Sequence, residues 1–114
     1  MPFINTKTNV SVSAEQEREL VKELGRAIAI IPGKSEPVLM LNLQDNQRMA
    51  FRGTADGKMA MVEVGLLGKA PAKSLNDFTA ECCNILNRIL GIPGNGVYIS
   101  YLEYEHWGYD GENF

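Results

Sequence analysis

The same order of elements is written twice in this chain, and the internal repeat limits the fold more than any other feature. In each copy a short apolar strand is followed by an amphipathic helix, a proline that ends the helix, and a second apolar strand. The helix-capping serines Ser13 and Ser74 are about 60 residues apart, and so are the helix-ending prolines Pro32 and Pro93. The copies share little sequence identity, so the repeat is one of structure: a βαβ unit used twice.

Local signals set the expected boundaries of the helices. The capping box Ser13-Ala14-Glu15-Gln16 and the helix-ending pair Pro32-Gly33 predict a first helix over about residues 14–31. The second helix is predicted to be capped by Ser74 and to end within residues 91–94. Apolar residues recur at helical spacing in both segments, which gives each helix one apolar face.

Strands are predicted beside both helices, near residues 3–9, 38–43, 59–66 and 97–102. The last three are continuous apolar runs, typical of strands that are buried on both faces. A helix that crosses between two parallel strands, used twice, predicts an α+β fold with a four-stranded mixed sheet and both helices on one face.

The predicted fold forms a single domain over residues 1–114, with pseudo-repeats at roughly residues 2–44 and 58–103. Two helices can cover only one face of the sheet. Since several strands read as buried on both faces, the other face needs a partner, and another copy of the chain is the partner we expect. The sequence therefore predicts a homo-oligomer.

Composition and charge exclude several classes of function. Eleven basic and fourteen acidic side chains give a formal net charge of −3 with no basic stripe, so no nucleic-acid partner is expected. No apolar run approaches the roughly 18 residues needed to cross a bilayer, so no membrane partner is expected either. The first residues lack the charged and apolar regions of a signal peptide, which predicts a cytoplasmic protein.

Few residues could carry familiar catalytic or metal chemistry. His106 is the only histidine, and no Cys/His spacing resembles a zinc site, so neither a metal nor a cofactor is expected. A nucleophilic Cys–His pair is conceivable, but Cys82 and Cys83 fall within the second helix, where buried free cysteines are common and inert. Their adjacency also makes a bridge between them improbable. The segment 65–69 lacks the remaining residues of a phosphate loop.

Pro2 is the unusual candidate. Removal of Met1, which a small following residue generally permits, would expose the secondary amine of Pro2 as the N-terminus. An α-amino group titrates near 7.7–8.0 in model peptides, and burial or a nearby cation lowers that pKa. Such an amine is largely neutral at pH 7 and can act as a general base. The alternative is that Met-Pro is a common start of a chain with no functional meaning.

A pattern along the whole chain bears on that alternative. It consists of Met1-Pro2, Pro32-Gly33-Lys34, Met49-Ala50-Phe51-Arg52-Gly53-Thr54, Leu66-Leu67-Gly68-Lys69, Val97-Tyr98-Ile99-Ser100-Tyr101 and the terminal segment 107–114. In that order and at those separations, the chain resembles the macrophage migration inhibitory factor (MIF) family of the tautomerase superfamily. The resemblance implies a homotrimer of two-βαβ subunits and cofactor-free keto–enol tautomerisation of a small carboxylate-bearing substrate, such as phenylpyruvate or a dopachrome-type compound.

The resemblance also implies roles for individual residues. Pro2 would be the base, and Lys34 would lower its pKa and hold a substrate carboxylate. Leu67 would offer a backbone N–H to substrate, while Tyr98 and Ser100 would reach the pocket from the neighbouring subunit. Taken alone, Lys34 could instead cap the first helix, and Tyr98 could be simple packing.

The resemblance also predicts which residues form the pocket wall, and the chain differs from many animal members of the family at several positions. The expected wall residues are Phe3, Val38, Tyr101, Tyr109 and Phe114. Many animal members have proline and an aromatic residue where Ser35 and Val38 stand here, and tryptophan where Tyr109 stands. Their Cys-x-x-Cys segment is replaced by residues 58–61, so the thiol–disulfide activity proposed for them is not expected.

Three functional classes follow from the sequence. The first is an enzyme, a phenylpyruvate or dopachrome tautomerase-like isomerase that uses Pro2. The second is a cytokine-like protein that binds a receptor and keeps a residual tautomerase pocket; members of this family leave cells without a signal peptide, so export by that route is compatible with the sequence. The third is a structural trimer without pocket chemistry.

Overall fold

The computed structural model describes all 114 residues, Met1–Phe114. Its main elements are β1 (Pro2–Thr8), α1 (Ala14–Ala27), β2 (Met40–Gln44), β3 (Ala60–Leu67), α2 (Ala72–Leu90), β4 (Val97–Tyr104) and the short strands β5 (Gly108–Tyr109) and β6 (Glu112–Asn113). The four longer strands form one sheet in the order β2-β1-β3-β4, and β5 pairs with β6 in a terminal hairpin. The predicted α+β fold, with a mixed sheet and two helices, is confirmed.

The sheet consists of two parallel pairs joined through an antiparallel centre. Strand β1 is parallel to β2, and β3 is parallel to β4, so each pair with its crossing helix is one βαβ unit. The two units meet where β1 runs antiparallel to β3, with Pro2 opposite Leu66 and Thr8 opposite Ala60. Strands β2 and β4 are therefore the two edges of the sheet.

Both helices pack on one face of the sheet and enclose the core there. Alternate residues of β1, among them Ile4 and Thr6, are buried beneath the helices, as strand alternation requires. Phe78 of α2 and Ile28 after α1 are fully buried against them. Thr8 is a buried polar residue, and its hydroxyl donates a hydrogen bond of 2.8 Å to the Met59 carbonyl. No buried side-chain nitrogen or oxygen lacks a hydrogen-bond partner.

The helix ends differ from the predicted ones in two places. The capping box at Ser13 is confirmed, but α1 ends at Ala27 and tightens into a 3₁₀ turn over Ile28–Ile30, so it is shorter than residues 14–31. The prediction that Ser74 caps α2 is wrong. The helix begins at Ala72 with Pro71 in the capping position, since proline has the right backbone angle and no N–H to satisfy.

The prediction that strand 38–43 is buried on both faces is also wrong within the single chain. Val38 belongs to a 3₁₀ turn, Glu36–Val38, because Pro37 favours a turn, and β2 starts two residues later with Met40 68% exposed. On β4, Tyr98 and Leu102 are likewise exposed, at 61% and 57%. The face of the sheet opposite the helices is open.

No helix contains an apolar stretch long enough to span a membrane.

Candidate active site

The start of β1 lies beside the end of β3, and this pairing places Pro2. Pro2 is fully buried opposite Leu66. The preceding carbonyl, that of Met1, accepts a hydrogen bond of 3.1 Å from the backbone N–H of Leu67. The Leu67 N–H donor is thus aimed at the chain immediately before the Pro2 nitrogen.

Lys34 reaches the same place from the loop after α1. Gly33 adopts a left-handed backbone (φ 78°), and the Lys34 N–H then donates to the Ile31 carbonyl at 3.1 Å, which closes a tight turn. The Lys34 ammonium donates a hydrogen bond of 2.7 Å to the Leu67 carbonyl. The Lys34 ammonium therefore binds the end of β3. The alternative role, capping the C-terminal end of α1, would have required a hydrogen bond to a carbonyl of that helix.

The electrostatics of this corner act on the N-terminal amine. The pKa of the Met1 α-amino group is lowered from its ordinary value of 8.0, first by burial and then by the charge and hydrogen bonding of Lys34. Both influences disfavour the protonated amine. At neutral pH a larger fraction of an amine held here is therefore in the neutral form, which can accept a proton, than of an amine in solution.

An open groove of about 1190 Å³ runs from this corner over the open face of the sheet. Of the predicted wall residues, Phe3, Val38 and Tyr109 line the groove together with Pro2. Phe114 stacks on Tyr109, with ring centroids 6.4 Å apart and planes at 11°. The terminal hairpin thereby contributes aromatic surface to the wall.

Tyr101 also borders the groove, but its hydroxyl points toward the helices. The hydroxyl donates to the Leu75 carbonyl at 2.9 Å and lies 2.8 Å from the Thr79 hydroxyl. Burial raises the pKa of Tyr101. Within one chain this hydroxyl is hydrogen-bonded to residues of α2. Only the aromatic ring of Tyr101 can therefore form part of the groove wall.

Tyr98 lies far from Pro2 within the same chain. In the sheet register Tyr98 is opposite Met61, and Met61 is opposite Lys7, five residues along β1 from Pro2. At the rise of a strand that separation is about 16 Å. Ser100 borders the groove, and its sheet partner Glu63 is opposite Asn5, three residues along β1 from Pro2. Tyr98 can act on a Pro2 amine only if the amine belongs to another subunit.

Several residues at these sites were not among the predicted ones. Trp107 and His106 line the groove, and the Trp107 ring packs edge-on against Tyr104 with centroids 5.7 Å apart. The dense aromatic run at residues 106–109 was the available signal, but such runs are more often packing. Phe51 packs on Tyr98 with centroids 4.7 Å apart, and nothing in the sequence indicated that contact.

The cysteines lie apart from this site. Cys82 is buried in the core on α2, and burial raises its pKa to about 12, with smaller contributions from Cys83 and Glu81. Cys83 is half-buried, and its pKa is also raised. No group of three or more His, Cys, Asp or Glu side chains could hold a metal ion.

Comparison with known proteins agrees with this geometry. The family model described as macrophage migration inhibitory factor (MIF) matches residues 1–114. A macrophage migration inhibitory factor of Xenopus laevis is 28% identical, and the match covers 100% of this chain and 99% of the relative.

The crystal structure of Leishmania major MIF2 superimposes with a TM-score of 0.92 at 26% identity, over 100% of this chain and 97% of that one. An MIF-like protein from Entamoeba histolytica shares the fold, with a TM-score of 0.87 at 19% identity over 99% and 98% of the two chains. Because the family model spans the whole sequence and the fold agrees, the chain belongs to the macrophage migration inhibitory factor family.

Proposed function

We propose that this protein is a cofactor-free keto–enol tautomerase that acts on a small α-keto acid of the phenylpyruvate type, with the Pro2 amine as general base after removal of Met1. The observation that carries the proposal is the convergence of three groups. The Leu67 N–H and the Lys34 ammonium lie beside the buried start of β1, where Met1 and Pro2 line part of an open groove.

The proton transfer needs a neutral amine, and the surroundings of Pro2 favour one. A proline amine at this position would be buried as the ring is now, with Lys34 close by, and both effects lower the pKa of an amine. The neutral amine would take a proton from the carbon next to the substrate carbonyl, giving an enolate. The protonated amine would then return that proton to the enolate oxygen, directly or through a water that passes it on, which completes the isomerisation without a net change in atoms or charge.

The remaining polar groups would bind and orient the substrate. With Met1 gone, the Leu67 N–H loses the carbonyl to which it now donates and becomes a free donor beside the base. The Lys34 ammonium, fixed on the Leu67 carbonyl, has further protons for a substrate carboxylate. Hydrogen-bond donors held in place before the reaction stabilise developing negative charge.

We further propose that the working molecule is a homotrimer in which Tyr98 and Ser100 serve the pocket of a neighbouring subunit. The open face of the sheet and the exposed Tyr98, Leu102 and Met40 support an interface there. The distance of Tyr98 from Pro2 in its own chain supports the crossing of subunits. We place the protein in the cytoplasm, with export that does not use a signal peptide as the alternative location.

The N-terminus offers the direct test. While Met1 is attached, the Pro2 nitrogen is a tertiary amide without a basic lone pair, so a Met1-retaining preparation should be inactive. Intact mass distinguishes the two forms, and phenylpyruvate enolisation is then measured on each. The processed protein should be active and its Pro2→Gly variant strongly impaired. Wild-type rates in Pro2→Gly would refute the assignment of the base.

A cytokine-like role is the second candidate, and it is favoured by relatives named macrophage migration inhibitory factor that match this chain over its full length. In that case the pocket would be residual and the surface would bind a receptor. Receptor binding that persists in Pro2→Gly, together with negligible enolisation by the processed wild type, would favour this role over catalysis.

A further inference from the structure

The turn at Phe51–Thr54 has an unusual residue in a demanding position. Phe51 and Thr54 pair their backbones, with N–H to carbonyl distances of 2.8 and 3.1 Å. Between them Arg52 and Gly53 both have positive φ, 55° and 79°. This conformation favours Asn-Gly or Asp-Gly, because a long L side chain is strained in the left-handed region.

The chain contains its own comparison for this turn. In the β5–β6 hairpin, Asp110 and Gly111 have φ values of 52° and 85°, close to those of Arg52 and Gly53. There the usual Asp-Gly pair occupies the two positions. At the other turn Arg52 occupies the strained position, and contacts of its side chain are needed to offset the cost.

The contacts of Arg52 lead to Tyr98 in two steps. The Arg52 guanidinium lies 4.4 Å from the centroid of the Phe51 ring, and Nη2 donates to the carbonyl of Asn95, three residues before Tyr98. The Phe51 ring in turn packs edge-on against Tyr98, with centroids 4.7 Å apart and planes at 64°. Phe51 therefore contacts both the Arg52 cation and the Tyr98 ring.

We propose that Arg52 and Phe51 are positioning residues for Tyr98, which fix the orientation of its ring and hydroxyl for the pocket of the neighbouring subunit. Tyr98 is 61% exposed in its own chain, so little else restrains its side chain. The guanidinium holds the Phe51 face through a cation–π contact, and Phe51 limits the rotation of Tyr98. The kinetic part of this inference rests on the proposed function; the structural part does not.

The variant Arg52→Asn separates a positioning role from a structural one. Asparagine suits the left-handed turn better, so the thermal midpoint should stay level or rise, whereas the guanidinium contacts are lost. We expect kcat/KM for phenylpyruvate to fall about 3- to 10-fold, mainly through KM, as expected for the loss of one cation–π contact. Arg52→Lys, which keeps a cation near the Phe51 ring, should recover most of the loss. Unchanged kinetics in Arg52→Asn would overturn the proposal.

A double-mutant cycle tests whether Arg52 acts through Tyr98. In the Tyr98→Ala background, Arg52→Asn should cause no further loss, since the residue to be positioned is absent. Fully additive losses would mean that Arg52 acts independently of Tyr98, and the proposal would fail.

Tyrosine ring resonances provide a readout that needs no activity. In NMR spectra of ¹³C-tyrosine-labelled protein, Arg52→Asn should shift and broaden the Tyr98 ring signals more than those of Tyr101, whose hydroxyl is hydrogen-bonded to Thr79 and Leu75 of α2. Unaltered Tyr98 signals would overturn the positioning role. If the wild type lacked tautomerase activity while the Tyr98 signals responded, the proposed function alone would be wrong.

Discussion

The Lys34 ammonium donates a hydrogen bond of 2.7 Å to the Leu67 carbonyl, across a sequence separation of 33 residues. This contact ties the loop after α1 to the end of β3, next to the N-terminal amine whose pKa burial and Lys34 lower. A flexible lysine is thereby held at one distance from the proposed base. The hydrogen bond joins the two βαβ units at the point where we place the chemistry.

Replacing Lys34 by Ala is expected to change both the pH profile and substrate binding. Burial and then Lys34 lower the pKa of the Met1 α-amino group, and we expect the same influences on the Pro2 amine once Met1 is removed, so loss of the cation should raise that pKa. Since the neutral amine is the active form, the ascending limb of kcat/KM against pH should move to higher pH. KM for a keto-acid carboxylate should rise about 10-fold or more, in line with a lost charge-assisted hydrogen bond.

Two controls accompany the Lys34 variant. Lys69→Ala removes an exposed lysine of the same neighbourhood and should leave the profile in place. The methyl ester of the substrate lacks the carboxylate, so its KM should change much less in Lys34→Ala. Equal losses for acid and ester would contradict the binding role of Lys34.

Mixed oligomers test whether Tyr98 crosses between subunits. A Pro2→Gly chain supplies an intact Tyr98, and a Tyr98→Ala chain supplies an intact Pro2. If each site takes the two residues from different subunits, random 1:1 trimers should contain about a quarter wild-type sites. Recovered activity after co-refolding the two impaired variants, compared with each alone, is the measurement. No recovery in verified mixed trimers would place both residues in one chain.

The buried thiol of Cys82 should be unreactive in the folded protein. Its pKa of about 12, against an ordinary 9.0, lowers the thiolate fraction near neutral pH about 1000-fold, and its side chain is buried. A chromogenic disulfide reagent should titrate both cysteines quickly in denaturant. In buffer Cys82 should react only in molecules that unfold, and Cys83 should react slowly. Rapid labelling of Cys82 in native protein would contradict this placement.

The same pKa has a consequence for stability at alkaline pH. Because the folded-state pKa of Cys82 lies above its unfolded value, the stabilising contribution is complete below pH 9.0 and is lost as the pH rises toward about 12. The free energy of unfolding should therefore fall with pH over that window. In Cys82→Ala this part of the slope should disappear, as denaturant titrations at several pH values would reveal.

Gly96 should be intolerant of a side chain, and Gly94 in the same 3₁₀ turn is its matched control. A Cβ at Gly96 would lie 2.6 Å from the Lys58 carbonyl oxygen, a backbone atom that cannot move aside cheaply. Gly96→Ala should lose about 1–3 kcal/mol of unfolding free energy. A Cβ at Gly94 meets nothing within 4 Å, so Gly94→Ala should be near neutral or slightly stabilising. Equal midpoints for the two variants in thermal melts would contradict the packing at Gly96.

Sequence reasoning succeeded where a local rule operates. The capping box at Ser13 predicted the start of α1, because its hydrogen bonds join residues only three apart. It failed at Ser74, where Pro71 opens the helix earlier, and at Val38, where Pro37 turns the chain before β2 begins. In both places a nearby proline constrained the backbone more strongly than the residue pattern.

In the candidate site, too, some features could be predicted from the sequence and others could not. Pro2, Lys34 and Leu67 could be proposed from the sequence through resemblance to the family, but their convergence depends on antiparallel pairing of β1 with β3 and on a lysine that reaches across units. Phe51 and Tyr98 are in contact but have no periodic relationship in the sequence, so no sequence pattern predicts their contact.

The sequence by itself determined that this chain forms two βαβ units, because helix periodicity, helix caps and helix-ending prolines act between residues close together in the chain. Only the tertiary structure decided which units pair, which face of the sheet stays open, and which side chains meet at the N-terminus. Those outcomes follow from burial and hydrogen bonding between residues far apart in the chain, whose free energies depend on the folded arrangement as a whole.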